Sequence, residues 1–281
     1  MISVILPALN EEEGIVRSLK ELSSVPLGEG SEILVIDDAS VDQTGARAAD
    51  LGARVVRHVT NQGYGRSLKD GIAAARNDTL VIADADGSYP FDRIPALIEE
   101  YEKGFDMVVG VRQGLSGEPP FKIGLRFLLK GLVEFTAGTR VPDVNSGMRV
   151  FSKKTISKEL PLLSNGFSFT TSLTLCYLMR GRFVAHLPIA YNARVGRSKV
   201  RLLRDSLRTL QFIVQAMVYF NPLKAFLLPC IACLALSGGA FLAAIAGVRG
   251  AFSLGFEALL AAIVIFSLGL FAVMLRQASD E

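Results

Sequence analysis

Asp84 and Asp86 end an apolar run, Leu80 to Ala83, and two acids at that spacing on a strand end can address one divalent cation. Magnesium and manganese bind through one or two carboxylates and complete their shell with substrate phosphates and water. The pair therefore suits a Mg2+ or Mn2+ that also takes oxygens from a diphosphate. An Asp-x-Asp by itself is a weak signal. Its place strengthens it, because a core strand running straight into two acids is a poor design for stability.

A second acidic group, Asp37-Asp38-Ala39-Ser40-x-Asp42, follows Ile33–Ile36 and leads into a helix. Ser40 or Asp42 would cap that helix. Capping does not require Asp37 and Asp38, whose carboxylates could accept hydrogen bonds from a base N–H or ribose hydroxyls. Pro7-x-x-Asn10-Glu11 stands similarly after the first strand. Asn61-Gln62-Gly63-Tyr64-Gly65 opens a further helix, where bare backbone N–H groups could approach an anion.

The elements that must carry these motifs alternate. Strands are expected at Ile2–Leu6, Ile33–Ile36, Arg54–Arg57, Thr79–Ala83 and Asp106–Val111, with helices near 11–23, 42–51, 64–76 and 92–103. Alternation of apolar strands with helices predicts an α/β fold on a mainly parallel sheet covered on both faces. Ligands on such sheets bind beyond the carboxyl ends of the strands. All three acidic motifs follow strands directly, so they should gather at one edge.

Half of the 281 residues are apolar, and the excess lies beyond residue 210. Ala225 to Val248 carries no charge and would be about 36 Å long as a helix, enough to cross a bilayer. Ala258 to Leu275 is a second such stretch, which predicts a two-helix hairpin with spans near 225–248 and 256–275. Lys199, Arg201, Arg204, Arg208 and Lys224 precede it, and the positive-inside rule then places the large domain in the cytoplasm. No signal peptide precedes Ile2. The expectation is a multi-pass protein of the cell (inner) membrane, with domains at 1–220 and 221–281. Basic-faced amphipathic helices near 121–138 and 200–220 suit a headgroup layer. The alternatives are buried core helices for the hairpin and ordinary surface helices for these two. The net charge of +3 gives no reason to expect a nucleic-acid partner. Gly238 and Gly239 would let helices pack closely, which allows a homo-oligomer without requiring one. Cys230-x-x-Cys233 has no second pair nearby, and His58 and His186 read as structural.

The ordered set Val4-Ile5-Leu6-Pro7-Ala8-Leu9-Asn10-Glu11, Val35-Ile36-Asp37-Asp38-Ala39-Ser40-Val41-Asp42, Asn61-Gln62-Gly63-Tyr64-Gly65 and Asp84-Ala85-Asp86-Gly87 resembles glycosyltransferase family 2, with its GT-A fold. Asp143-x-Asn145-Ser146-Gly147-Met148-Arg149-Val150-Phe151 and Arg194-Val195-Gly196-Arg197-Ser198-Lys199 are similar to segments of dolichyl- and polyprenyl-phosphate sugar synthases. The resemblance covers roughly 1–220. It implies an inverting transfer of a hexosyl unit from GDP-mannose or a UDP-hexose to a polyprenyl phosphate. It also implies nucleoside contacts from Pro7, Asn10, Glu11, Asp37 and Asp38, with Gly63 beside the donor, and a metal on Asp84 and Asp86. Arg149, Arg197, Ser198 and Lys199 would face donor or acceptor phosphates, and Arg126 the acceptor.

Two departures from the family pattern bear on mechanism. Ser88 stands where many lipid-phosphate members place a glutamine, so a third side-chain ligand is not expected. No acid occurs between Glu159 and Asp205, which leaves Asp143 as the one base for a sugar hydroxyl in that half. A phosphate monoester has a second pKa near 6 and needs no base, which favours a lipid phosphate acceptor. A membrane enzyme acting on a hydroxyl and a nonenzymatic membrane adaptor remain as alternatives. A processive polysaccharide synthase would carry a Gln-x-x-Arg-Trp segment, and the chain has no Trp. A dinucleotide oxidoreductase would carry G-x-G-x-x-G after the first strand, where Pro7 and Asn10-Glu11 stand.

Overall fold

The computed structural model describes residues 1–113, 120–192 and 202–280. They fall into two compact units, Met1–Phe212 and Ile213–Glu281.

The first unit is built on a seven-stranded sheet. Its strands are β1 (Ile2–Ala8), β2 (Glu32–Asp37), β3 (Arg54–Arg57), β4 (Thr79–Ile82), β5 (Met107–Gln113), β6 (Arg149–Ser152) and β7 (Val184–Ala190). Their order is β3-β2-β1-β4-β6-β5-β7. Every pair is parallel except those of β6, which runs antiparallel to both β4 and β5. The first five strands lie where the hydrophobic pattern predicts them, within a few residues at each end. β6 and β7 were not anticipated.

β1 is buried at all seven positions, as a strand covered on both faces must be. On one face Val4, Leu6, Val35, Val81, Val108 and Val150 meet Ile15, Leu19 and Leu22 of α1 (Glu12–Ser23) and Ile94 and Leu97. The inward residues of α1 recur at three- and four-residue spacing, and Glu12 and Glu13 in its first turn complement the helix dipole. α2 (Thr44–Asp50) follows β2, and α3 (Tyr64–Ala74) lies against the opposite face. There a Cβ on Gly71 would come within 2.5 Å of Ile5 Cγ2. α4 (Ile94–Glu102) precedes β5, α5 (Pro120–Ala137) and α6 (Lys153–Ser157) flank β6, and α7 (Phe169–Met179) precedes β7. α8 (Leu202–Phe220) contains the division between the two units.

The second unit is dominated by α9 (Pro222–Ile245) and α10 (Ala251–Asp280). Asn221 caps α9 by accepting from Lys224 N, and Pro222 takes the first turn. Ser237 Oγ donates to Gly255 O at 2.8 Å, and Gly255 and Gly269 leave room for Phe241 and Phe226. Within Pro222–Ile245 and Ala251–Ala278, 18-residue stretches reach mean hydropathies of 2.1 and 2.8, and both helices are long enough to cross a membrane.

Candidate active site

A cleft of about 860 Å³ opens at the carboxyl ends of β1, β2, β4 and β5, where the three acidic motifs converge. Its floor is Pro7 and Ala8 at the end of β1 with Leu9 and Glu11 beyond it, Asp38 after β2, and Asp84, Ala85 and Asp86 after β4. Arg112 enters from the end of β5, and α5 contributes Arg126 and Lys130.

The strand ends are shaped by local hydrogen bonds. After β2 the chain turns through Ala39 in the left-handed region, φ 64°. Asp38 N donates to Ala8 O at 2.8 Å and Ser40 N to Asp37 Oδ1 at 2.9 Å. Asn10, also left-handed at φ 48°, joins this turn by donating its N–H to Ser40 Oγ and accepting from Val41 N, 2.9 Å each. Thr44 Oγ1 accepts from Glu11 N at 2.8 Å. The first two acidic motifs are thus one stitched surface.

Two residues expected to meet the nucleoside, Asp37 and Asp38, also bind their own surroundings. Asp37 is fully buried and does not line the cleft; its Oδ2 lies 3.5 Å from Arg57 Nε. Asp38 does line it, but Oδ1 accepts from Gln62 N at 2.7 Å and Oδ2 from Gly63 N at 2.8 Å. His58 Nδ1 stands 2.7 Å from Asp38 Oδ1, and its Nε2 3.2 Å from Asp70 Oδ2. Asp38 therefore shapes the Asn61–Gly63 loop, where Gly63 adopts φ 98°.

Asp84 and Asp86 both face the cleft. Tyr64 Oη donates to Asp84 Oδ1 at 2.8 Å. Burial and the Asp84 charge hold that phenol well above its ordinary range, so it stays a donor. Gly147 approaches so closely that a Cβ would lie 2.9 Å from Asp84 Oδ1. Asp86 Oδ1 accepts from Ser88 N at 3.1 Å and from the Ser88 hydroxyl. α1 supports this segment: Ser18 Oγ donates to Ala85 O at 3.2 Å, and a Cβ on Gly14 would strike Ala85 O at 2.8 Å. Ser88 itself is fully buried, its hydroxyl turned to Asp86.

This donor set fits Mg2+ or Mn2+. It offers two hard carboxylates on the floor of a cleft roomy enough for a diphosphate. Among the described residues no group of three or more His, Cys, Asp or Glu gathers as a metal cage. Two protein oxygens with the remainder from phosphate and water is how such ions bind.

Arg149, expected at a phosphate, has its side chain fully buried and does not line the cleft. Nε donates to Ser146 O at 2.9 Å, Nη2 to Val144 O at 2.9 Å and Nη1 to Thr174 Oγ1 at 2.7 Å. Burial pulls the guanidinium down to about 10. Arg112, which the motifs did not single out, does line the cleft, with Arg126 and Lys130. It forks on to Asp143 at 2.7 and 2.9 Å and lies over the Tyr191 ring at 5.3 Å. Burial pushes the Asp143 carboxyl up, but Arg112 outweighs it and holds the group below the usual carboxylate range. Asp143 is therefore a poor base.

Arg126 lines the cleft with Leu125, Leu129 and Lys130. Arg197, Ser198 and Lys199 lie outside the described residues. α7 brings Thr170 and Thr171 to the wall, and α8 brings Asp205, an acid whose place no motif announces.

The glycosyl transferase family 2 profile matches residues 3–160. The hexosyltransferase Agl6 of low-salt glycan biosynthesis in Haloferax volcanii is 32% identical over 84% of this chain. The chain spans only 58% of that protein's length. The dolichyl-phosphate hexose transferase of the same organism is 28% identical, over 71% of this chain and 86% of its own. Glucosyl-3-phosphoglycerate synthase from Mycobacterium tuberculosis, in complex with Mn2+, UDP and glucosyl-3-phosphoglycerate, is 26% identical with a TM-score of 0.63. That likeness covers 77% of this chain and 79% of the synthase. With more than half its length matched by one profile and its sheet shared with GT-A enzymes, the chain belongs to glycosyl transferase family 2.

Proposed function

We propose that the chain is an inverting hexosyltransferase that uses a nucleotide-sugar, GDP-mannose or a UDP-hexose, and a polyprenyl or dolichyl phosphate acceptor at the cytoplasmic face of the cell membrane. One observation carries the acceptor assignment: the cleft sets Arg112, Arg126 and Lys130 beside the Asp84–Asp86 pair, and Asp143 is tied to Arg112. Three cations beside the metal pair suit an acceptor that is already ionised. The relative that acts on dolichyl phosphate supports the same choice.

Each step follows from the chain's own groups. Pro7, Glu11 and the Asn61–Gly63 loop form the wall that would hold the nucleoside. Asp84 and Asp86 would hold Mg2+ or Mn2+ at the diphosphate, where the ion would neutralise the leaving group. Arg112, Arg126 and Lys130 would place the acceptor phosphate and shield its charge against the acidic floor. Tyr191 and Asp143 keep the Arg112 guanidinium in one orientation. Arg197, Ser198 and Lys199 would add phosphate contacts. Residues 1–220 would form the catalytic domain, and 221–281 a transmembrane hairpin anchoring it, with Arg204, Arg208 and Lys224 on the cytoplasmic side.

The test is to incubate the detergent-extracted protein with radiolabelled GDP-mannose, UDP-glucose or UDP-N-acetylglucosamine and undecaprenyl phosphate. Each is run with and without Mn2+ or Mg2+. Metal-dependent label in the organic phase, abolished by Asp84→Asn, is expected. Metal-dependent nucleotide binding without transfer to any lipid phosphate would overturn the acceptor assignment. A second reading rests on Asp205, the acid that α8 carries to the cleft. If the acceptor is a hydroxyl, Asp205→Asn should remove transfer while donor binding persists; a lipid phosphate acceptor should survive it.

A further inference from the structure

Asp84 is held by a side chain that no motif assigned a role. Tyr64 Oη donates to Asp84 Oδ1 at 2.8 Å, and Gly147 lies so near that a Cβ there would be 2.9 Å from the same oxygen. Tyr64 has little freedom to move. Its ring stacks on Phe167 with centroids 5.6 Å apart and planes 18° from parallel. The first turn of α3 is fastened to the segment before α7: Arg66 N donates to Asn165 O at 3.0 Å and Lys69 Nζ to Leu163 O at 2.6 Å. A Cβ on Gly65 would sit 2.3 Å from Ser164 O, so the two backbones are in direct contact. Upstream, Asp38 holds the N–H groups of Gln62 and Gly63.

We propose that Tyr64 is a positioning residue for Asp84: its hydroxyl fixes the plane of the carboxylate that takes the metal, so it governs metal affinity and not nucleotide affinity. The proposal rests on reading Asp84 and Asp86 as the metal pair. Hydrogen-bond partners behind a ligating group orient it, and their loss commonly costs 10–100-fold in metal affinity, about 1.4–2.7 kcal/mol. The hydroxyl meets that description. It is a single donor, aimed at one oxygen and held by a stacked ring on a fastened helix end.

Tyr64→Phe keeps the ring and its stack and removes only the hydroxyl. Mn2+ is titrated into the full chain in detergent with UDP, and separately with GDP, and protein-bound Mn2+ is followed by electron paramagnetic resonance. The expected result is about 10–100-fold weaker Mn2+ binding. Nucleotide affinity without metal and the melting temperature should match the wild type. In the transfer assay the apparent KM for Mn2+ should rise, with kcat recovered at saturating Mn2+. Phe167→Ala, at a partly exposed position, unstacks the ring but keeps the hydroxyl and should weaken Mn2+ less. Unchanged or tighter Mn2+ binding in Tyr64→Phe would overturn the proposal. A wild type that takes up no Mn2+ with either nucleotide, and is unaffected by Asp84→Asn, would instead sink the metal reading beneath it.

Discussion

Replacing Arg149 separates a structural clasp from a phosphate contact. Three hydrogen bonds of 2.7–2.9 Å tie its guanidinium to Ser146 O, Val144 O and Thr174 Oγ1. Bonds to a charged donor contribute about 1.5–3 kcal/mol each, so the gross loss on removal is about 4.5–9 kcal/mol. Against this, Arg149→Met removes the penalty of burying a cation, which is several kcal/mol. The net destabilisation should be about 2–5 kcal/mol. In the 212-residue unit Met1–Phe212, at about 2–4 °C per kcal/mol, that lowers the melting temperature by roughly 4–20 °C. Arg149→Lys should also destabilise, because a point charge on a flexible stem cannot reproduce a three-way fork. Calorimetry on the detergent-solubilised chain reads the shift, and the transfer assay runs beside it. A lysine variant that melts with the wild type yet transfers nothing would refute the clasp and return Arg149 to the phosphates.

Other perturbations follow from local geometry. Ala39→Gly should stabilise by about 0.5–1 kcal/mol, because φ 64° strains a residue with a Cβ; a lower melting temperature would contradict that. Gly147→Ala places a Cβ 2.9 Å from Asp84 Oδ1 and must displace the carboxylate. Transfer should fall about 100-fold while metal-free nucleotide binding is kept. Burial, and then the Arg149 charge, pulls the His186 imidazole below its ordinary value. The unfolded chain therefore takes up a proton first as pH falls through about 6.5. Stability should decline below that pH and level off once the folded imidazole titrates too. His186→Gln should flatten that limb of the melting-temperature profile, and an unchanged slope would count against it.

The sequence made the acidic edge legible because each motif directly follows a strand, and strand ends of a parallel sheet share one edge. The same rule could have found Arg112, which stands just after Val111 at the end of β5. β6 stayed hidden because its four residues include Arg149 and Ser152, and no pattern shows that an arginine is wholly buried. β7 contains Pro188, which argues against a central strand; it is tolerated because β7 closes the sheet at one side. Tyr64, Phe167, Tyr191 and Asp205 reach the cleft from separate parts of the chain, and only the folded arrangement unites them. Spacing puts Asp37 and Asp38 at a strand end but cannot show that Asp37 is buried or that Asp38 also braces the Asn61–Gly63 loop.

Val109 of β5 pairs with Arg149 of β6, so the chain leaves the sheet and rejoins it on adjacent strands. Everything between them, α5 and the Asp143–Gly147 segment included, is an excursion whose two ends are fixed together by that ladder. Lengthening such a loop is inexpensive, since closure entropy grows only logarithmically, and the register of the other strands does not depend on it. On the proposed function, the excursion is a cassette beside β1 to β4, whose carboxyl ends would hold the donor. Exchanging residues 114–147 for the matching stretch of a relative should therefore change acceptor choice while leaving nucleotide recognition intact, a route by which one scaffold diversifies.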